Sequence, residues 1–407
     1  MSQLIHDLTS ALDAIPLIDP HSHIEPHAAA SKSLDDILGY HYYTELAHSA
    51  GMPQTCLAKD FSKRDRCREI IRWMSRYDNC EQSRWFDDIA KTFLGFSGDR
   101  VTAQDADTLF SQAEKTFAQP DWEQQVLKKT NLEKIFLTNE FDDRLDGFDT
   151  SVYVPCLRTD SLVFRLNDPE VRRRLAAVTK VEVGDSATLD QALTALFERF
   201  VKHGAKACAI SLPPDFVPRK PESPSLGVPP AEAVFWAIAE HCRTFHLPFD
   251  LMIGVNRRVY ENGVFQGQDL YDQRTSLIQY RELFNAFPEV TFPISVLTSN
   301  QNQELCSYSW IFPNVVPNGH WWYSNIPEFI RRDLTERLQC VPKTKLIGYY
   351  SDAYKLEFVL PKYRMYRRIL AGVLAEQFVK PGLLNETAAV ALGTRLLRDN
   401  VKELFRI

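Results

Sequence analysis

Short runs of apolar and β-branched residues recur along the chain and alternate with stretches patterned as amphipathic helices. Runs of this kind predict buried strands, and strands that alternate with helices predict parallel β-α-β units. Eight such units favour a closed (β/α)8 TIM barrel of the α/β class over an open sheet. The predicted strands cover residues 16–19, 134–138, 152–157, 205–212, 249–255, 290–297, 315–319 and 346–350.

Helical patterning fills the intervals between the predicted strands. Between residues 31 and 130 we find only helical patterns, so we expect a helical insertion after the first strand, within one barrel domain of residues 1–407. The Pro- and Ser-rich segment 213–230 is interpreted as a loop, because apolar structure continues on both sides. Outside the insertion, helices are predicted over residues 3–14, 188–203, 230–245 and 273–287.

Composition limits the class of partner. The chain has 407 residues, of which 44% are hydrophobic, and a formal net charge of -6 at pH 7. This balance argues against nucleic acid or an anionic membrane as a partner, and no run reaches the roughly 18 apolar residues of a membrane span. The 8 cysteines form no C-x-x-C pair and are expected to be reduced thiols. We expect a cytoplasmic protein with a small-molecule substrate; homo-oligomerisation stays open, since the sequence carries no interface signal.

Two histidines follow the first predicted strand. His21 and His23 stand two residues apart on extended chain, so both imidazoles point to one side and can share a metal ion. Reactive groups of a (β/α)8 barrel lie at the C-terminal ends of its strands. Asp352 follows the eighth predicted strand, which closure of the barrel brings beside the first. A lone H-x-H motif also occurs by chance, but these positions predict a divalent metal site of His21, His23 and Asp352.

Six short motifs stand in order along the chain and begin at Pro20, Tyr40, Pro155, Ile253, Trp321 and Ser351. In this order they resemble those of the uronate isomerases of the amidohydrolase superfamily. Each is weak alone, but together they cover nearly the whole chain, and the resemblance implies a metal-dependent barrel enzyme. The implied reaction is aldose-ketose isomerisation of a hexuronate, such as D-glucuronate to D-fructuronate or D-galacturonate to D-tagaturonate. The motifs are PHSH at 20–23, YHY at 40–42 without the family's leading Asp, PCLRTD at 155–160, IGVNR at 253–257, WWYSN at 321–325, and SDAY at 351–354 with the tail PKYRMYRR at 361–368.

The resemblance also implies roles in proton transfer. Isomerisation moves a proton from C2 to C1 and therefore needs a base, an acid and stabilisation of the enediolate. Asp352 is the candidate base as well as a metal ligand. His41 and Tyr42 resemble a pair that reaches into the active site from the helical insertion, where a phenol could shuttle the proton. A core tyrosine with one hydrogen bond is the structural alternative for Tyr42.

Other residues of the motifs are candidates for substrate binding. Arg158 and Arg257 can hold a sugar-acid carboxylate through bidentate contacts, with surface ion pairs as the alternative. Trp321 or Trp322 can form an apolar platform against a sugar face, with one of the two in the core. Tyr354 is placed among the substrate contacts because it follows Asp352 by two residues.

Two departures from the resemblance bear on activity. Met252 stands where the family has a fifth-strand histidine that helps to complete the metal site, and a thioether is a poor ligand for a hard or borderline cation. Tyr354 stands where the family has an arginine that resembles a stabiliser of the enediol, and losing that cation could cost about 10²-fold in rate. We hypothesise that His320, before the tryptophan pair, replaces the missing ligand; a histidine that merely caps its strand is the alternative.

The sequence leaves alternatives for the identity of the metal and for the reaction. Zinc suits two histidines and an aspartate, and manganese is the second candidate. Because the fold does not fix one chemistry, a metal-dependent hydrolase or decarboxylase acting on another small acid is the first alternative to an isomerase. The second is a non-catalytic protein that binds sugar acids, against which the retained His21, His23 and Asp352 argue.

Overall fold

Parallel strands form the inner wall of the protein, as shown by a computed structural model that describes residues 2–264 and 267–407. One sheet has the order β1-β2-β3 and a second has the order β10-β9-β6-β5-β4, while β7 and β8 pair as an antiparallel hairpin. The strands are β1 Leu17–Asp19, β2 Leu132–Phe136, β3 Tyr153–Val154, β4 Cys156–Arg158, β5 Ala207–Leu212, β6 Phe249–Ile253, β7 Val255–Asn256, β8 Leu270–Tyr271, β9 Phe292–Val296 and β10 Val315–Pro317.

Pro155 divides the predicted strand 152–157 into β3 and β4, which belong to different sheets. Proline has no N–H to donate to a strand ladder, so the pairing is interrupted there. A bridge between Asn139 and Leu157 continues the wall across this gap, with Asn139 N–H donating to Cys156 O and Arg158 N–H to Asn139 O, both at 2.8 Å. The two sheets are therefore parts of one wall.

The last predicted strand, 346–350, closes the ring but is not a regular strand. It forms only a bridge between Asn318 and Ile347. The physical reason is that the Gly348 N–H donates to Leu396 O of a C-terminal helix, at 3.0 Å, instead of to a strand. Closure onto the first strand comes after it, where the His23 N–H donates to Ala353 O at 2.8 Å. The site residues of both chain segments are thereby brought together.

Helices surround this wall, and residues 31–130 contain helices α2 to α7 and no strand. Helix α2 (Leu34–Leu38) ends before Gly39 and Tyr40, and helix α3 (His41–Ser49) begins directly after them. The helices are α1 Gln3–Asp13, α2 Leu34–Leu38, α3 His41–Ser49, α4 Lys63–Met74, α5 Glu81–Phe93, α6 Ala106–Phe117, α7 Trp122–Thr130, α8 Asp160–Arg165, α9 Pro169–Thr179, α10 Ser186–Lys202, α11 Ala231–Thr244, α12 Arg281–Ala286, α13 Asn302–Ile311, α14 Pro327–Cys340, α15 Val359–Leu374, α16 Glu386–Thr394 and α17 Asn400–Phe405.

Side chains alternate between the two faces of the strands, as the period of two requires. Leu251 and Ile253 of β6 join a large cluster with the surrounding helices, whereas Asp250 and Met252 belong to the opposite face. A smaller cluster on that face includes Phe136, whose ring lies 4.9 Å from the ring of Phe405 in the last helix. Among the described residues, no helix combines the length and apolar character needed to cross a membrane.

Candidate metal centre and active site

The side chains of His21, His23 and Asp352 meet at one point. One ligand atom from each lies within 4.8 Å of the others. Asp352 Oδ1 is 3.7 Å from His21 Nε2 and 3.3 Å from His23 Nε2. His21 Nε2 and Asp352 Oδ1 are buried and have no hydrogen-bond partner among the described residues. Two imidazole nitrogens and a carboxylate oxygen with unused lone pairs fit a divalent cation bound at about 2.0–2.2 Å.

Hydrogen bonds fix the orientation of both rings. Asp250 Oδ2 lies 3.2 Å from His21 Nδ1, and Asp250 Oδ1 accepts from Asn318 Nδ2 at 3.1 Å, so the carboxylate acts as an acceptor and His21 Nδ1 carries the proton. The Thr138 hydroxyl donates to a backbone oxygen at 3.0 Å, so at 2.8 Å it accepts from His23 Nδ1. Each ring therefore presents the lone pair of Nε2 to Asp352, as a metal ligand must.

The charges at this point also suit a cation. Burial lowers the pKa of His23, so the ring is neutral and able to act as a ligand. Burial alone would raise the pKa of Asp352, but the hydrogen bond and the charge of His23, when that ring is protonated, and the charges of a protonated His21 and of Lys362 lower it to about 2. Burial would lower the pKa of His21, but its hydrogen bond to Asp250 and the charges of Asp250 and Asp352 raise it, so a divalent ion would compete with a proton for this ring.

The backbone of Asp352 is held in a strained conformation. Its φ is 53°, in the left-handed region that non-glycine residues rarely adopt. Tyr40 Oη donates to Asp352 O at 2.9 Å, and Lys362 Nζ donates to Tyr40 Oη at 3.0 Å and to Ser351 O at 2.7 Å. The buried Lys362 ammonium lies about 5 Å from three ring centroids, those of Tyr40, Tyr42 and Trp85. The hydrogen bonds of Tyr40 and Lys362 thus support the position of the Asp352 carboxylate.

A cavity of about 100 Å³ lies against the cluster and collects most of the side chains singled out in the sequence. The site therefore lies where the strands end, as expected for a barrel. Met252 lines it too, so the thioether occupies the place where the resemblance implies a histidine. The lining residues are His23, His41, Arg158, Ser211, Met252, Arg257, Trp321, Trp322, Asp352 and Tyr354.

Two arginines enter this cavity, and each is already paired with a carboxylate. Arg158 Nε lies 3.1 Å from Asp160 Oδ2. Arg257 Nη1 lies 2.5 Å from Asp269 Oδ2. These pairs hold both guanidinium groups at the cavity wall, where their charge suits an anion.

The helical segment contributes Tyr42 and His41 from the first turn of α3. Tyr42 Oη lies 3.5 Å from Asp352 Oδ2, the carboxylate oxygen that does not face the histidines. Burial raises the pKa of Tyr42 well above its usual value, so the phenol keeps its proton. His41 lies beside it, with ring centroids 4.2 Å apart. The structure therefore brings both residues to the metal centre.

The aromatic residues of the site differ in exposure. Trp321 is buried in an apolar cluster with Met252 and Tyr350, as expected for the core member of the pair. Trp322 is partly buried and stacks on Tyr323, with centroids 5.2 Å apart. The ring of Tyr354 lies 4.8 Å from that of His23. Among these three aromatic residues that line the cavity, Trp322 and Tyr354 are thus more exposed than Trp321.

His320 is not part of the site, and this placement corrects the hypothesis that it replaces the missing ligand. Its Nδ1 lies 3.8 Å from Asp333 Oδ2, and both side chains are fully buried. The ring packs between α14 and α15, with the Tyr349 and Tyr366 rings at 6.5 and 6.2 Å. Burial, followed by the charge of Arg337, lowers its pKa well below the usual value. The neutral ring is a structural element behind the wall.

Three residues of the site escaped the sequence analysis. Asp250 carried a signal, because an acid in the apolar strand Phe249–Ile253 demands a buried partner. Glu45, four residues after His41 on one helix, also carried a signal. Lys362 carried none, since a lysine in an amphipathic helix is ordinarily exposed.

Comparisons with known proteins confirm the resemblance over the full length. No family model matches this chain. A uronate isomerase of Corynebacterium efficiens is 21% identical over 98% of this chain and 95% of its own length. The uronate isomerase structure from Thermotoga maritima has a TM-score of 0.87 at 17% identity, covering 100% of this chain and 98% of its own. The glucuronate isomerase structure from Caulobacter crescentus has a TM-score of 0.88 at 16% identity, covering 99% and 94%. The (β/α)8 fold is thereby confirmed.

Proposed function

We propose that this chain is a metal-dependent uronate isomerase that converts a hexuronate aldose to its ketose. The observation that carries the proposal is the joint placement of the cluster His21, His23 and Asp352 with two arginines at one small cavity. A hexuronate offers both groups that such a cavity recognises, a carboxylate and neighbouring oxygens. The full-length similarity to uronate isomerases supports the same reaction.

His21 and His23, through Nε2, and Asp352, through Oδ1, would hold the divalent ion. The ion supplies Lewis-acid polarisation of substrate oxygens and fixes their orientation. Zinc fits the two imidazoles and one carboxylate, and manganese is the alternative. Asp250 supports the ligand set by fixing the orientation of the His21 ring.

Arg158 and Arg257 would bind the carboxylate of the sugar acid and orient its chain. Asp352 Oδ2, which lies 3.5 Å from Tyr42 Oη, would take the proton from C2 and return it to C1. Tyr42 stays protonated and can donate to the oxygen on which negative charge develops. Tyr354 stands where an arginine would stabilise that charge, so its phenol can contribute only a neutral hydrogen bond.

Turnover of D-glucuronate and D-galacturonate tests the proposal. Purified protein loaded with zinc or with manganese is incubated with each acid, and the ketose is followed by NADH-coupled reduction. We expect ketose from at least one acid and no second fragment. Saturable binding without product, or hydrolysis of another small acid with no ketose from either hexuronate, would contradict the isomerase and favour a binding protein or a hydrolase. A cytoplasmic location and a homo-oligomer remain predictions.

Substitution of Asp250 tests the support of the metal centre. His21 Nδ1 and Asn318 Nδ2 bond to different oxygens of Asp250, and in Asp250→Asn one of these oxygens is replaced by an NH2 donor, so one of the two hydrogen bonds is lost. We expect metal affinity to fall by about 10- to 100-fold, measured by competition with a chromophoric chelator. Asp190→Asn, on the outer helix α10, is the matched control and should leave the affinity unchanged. Equal affinity in both variants would rule out this role of Asp250.

A further inference from the structure

We propose that Glu45 is a positioning residue that holds the proton of His41 on Nδ1 and leaves Nε2 as the nitrogen that exchanges a proton with the substrate. This inference rests on the proposed isomerase function and goes beyond it, since it assigns a partner to His41 and a direction to its ring.

The contact between the two side chains is short and largely shielded from water. Glu45 follows His41 by one turn of α3, and its Oε1 lies 2.7 Å from His41 Nδ1. The side chains are 17% and 7% exposed, respectively. An ionised carboxylate only accepts hydrogen bonds, so the proton of this pair lies on Nδ1. The remaining nitrogen, Nε2, is then unprotonated in the neutral ring.

The surroundings of the pair leave Glu45 as its acceptor. Aromatic rings of Tyr40, Tyr42, Trp322 and Tyr354 surround the imidazole at centroid distances of 4.7, 4.2, 5.1 and 5.9 Å. The pKa of Glu45 is raised above its usual value. Burial is the largest cause, and the charge of Asp269 adds to it, whereas the contacts with His41 and Trp322 oppose it. Two further acidic groups lie near the pair: Asp269, whose charge acts on Glu45, and Asp352, which lines the same cavity as His41.

The two members of the pair face different cavities. His41 lines the cavity of about 100 Å³ that contains Asp352 and the two arginines. Glu45 lines a separate cavity of about 700 Å³, and Trp322 borders both. His41 also lines an outer cavity of about 610 Å³. Because Nδ1 points to Glu45, the opposite edge of the ring is the edge available to the two cavities that His41 lines. The carboxylate therefore acts from behind the ring and does not touch the substrate.

This arrangement suits the transfer of the hydroxyl proton that accompanies isomerisation. His41 Nε2 takes a proton from the substrate hydroxyl, which becomes the carbonyl, and returns it to the oxygen that was the carbonyl. No proton is gained or lost over the cycle. The transient imidazolium is stabilised by the Glu45 carboxylate, as a buried carboxylate stabilises the imidazolium of a hydrolytic triad.

Glu45→Gln tests the assignment with little change of shape. The amide can donate to Nδ1 and favour the wrong tautomer, so kcat should fall by about 10²-fold, at the lower end of the range for general acid-base catalysis. KM should change little, because Glu45 does not contact the substrate. The matched control is Asp190→Asn, which removes a carboxylate 3.7 Å from His241 Nε2 on the outer helices and should leave kcat unchanged. An unchanged kcat in a folded Glu45→Gln protein overturns the proposal.

A second measurement does not depend on turnover. Nitrogen-15 NMR of the imidazoles in the wild-type protein reports which ring nitrogen of His41 carries hydrogen, with His41→Gln used to assign the signal. We expect Nδ1–H and an unprotonated Nε2; the reverse tautomer overturns the proposal even if the protein is active. Absence of ketose from every hexuronate would instead refute the proposed function, and the tautomer would still decide the part assigned to Glu45.

Discussion

Asp352→Asn is expected to abolish both metal retention and isomerase turnover. The substitution preserves shape but removes the negative charge that lies between His21 Nε2 and His23 Nε2. Changes to outer partners of metal ligands cost about 10- to 100-fold in affinity or activity, so loss of a direct charged ligand should exceed about 100-fold. Metal content of the purified protein, followed by ketose formation at saturating metal, measures the two effects.

The outcome separates the two roles of this carboxylate. If Asp352 were only a ligand, excess metal would restore part of the turnover; because Oδ2 also faces Tyr42 Oη, we expect no recovery at full metal occupancy. His320→Asn is the contrasting variant, since His320 lies against Asp333 behind the wall. Folded His320→Asn should keep its metal. Retention of bound metal and activity by Asp352→Asn would refute the proposed centre.

Gly319→Ala is expected to destabilise the protein by about 2 to 5 kcal/mol. Gly319 has a φ of 51°, where a non-glycine residue costs about 1 to 2 kcal/mol. An added Cβ would stand 2.3 Å from Cδ1 of the fully buried Tyr350 ring, and such overpacking costs typically about 1 to 3 kcal/mol. Urea unfolding at constant temperature measures the change in free energy.

Gly204→Ala separates the two causes. Gly204 also has a positive φ, 87°, but nothing lies within 4 Å of the position of its added Cβ. Gly204→Ala should therefore be destabilised only by the cost of a positive φ in a non-glycine residue. The Tyr350 ring lies 5.2 Å from that of His21, so Gly319→Ala should also weaken metal binding, whereas Gly204→Ala should not. Equal destabilisation by the two variants would show that the Tyr350 contact is relieved without cost.

Local sequence patterns predicted the strands that lie fully within the barrel wall. The runs at β5, β6 and β9 are buried along nearly their whole length, so apolar composition marks them clearly. The eighth run was found at the right place but not as a strand, because its Gly348 N–H bonds to Leu396 O. That partner lies in a distant part of the chain, and no local pattern records it.

Spacing and strand ends predicted which side chains lie together at the candidate site. His21 and His23 follow from their spacing, and Asp352 follows from closure of the barrel. His320 was wrongly included for the same reason, since it also follows a strand. Gly319, with its positive φ, and the Arg337 Nη1 bond to Gly319 O, at 2.6 Å, direct the chain so that the His320 side chain packs between the outer helices.

By itself, the sequence determined the alternation of strands and helices, the pair His21 and His23, and the order of motifs that resembles uronate isomerases. These depend on neighbours in the chain, through the periods of two and 3.6 residues. Only the tertiary structure decided that Asp250 orients His21, that Lys362 supports the backbone at Asp352 and that Glu45 faces away from the cavity. The first two contacts join segments that are distant along the chain, and the third depends on which edge of the His41 ring faces the cavity. Packing of the whole barrel sets these placements, so residue identity alone does not encode them.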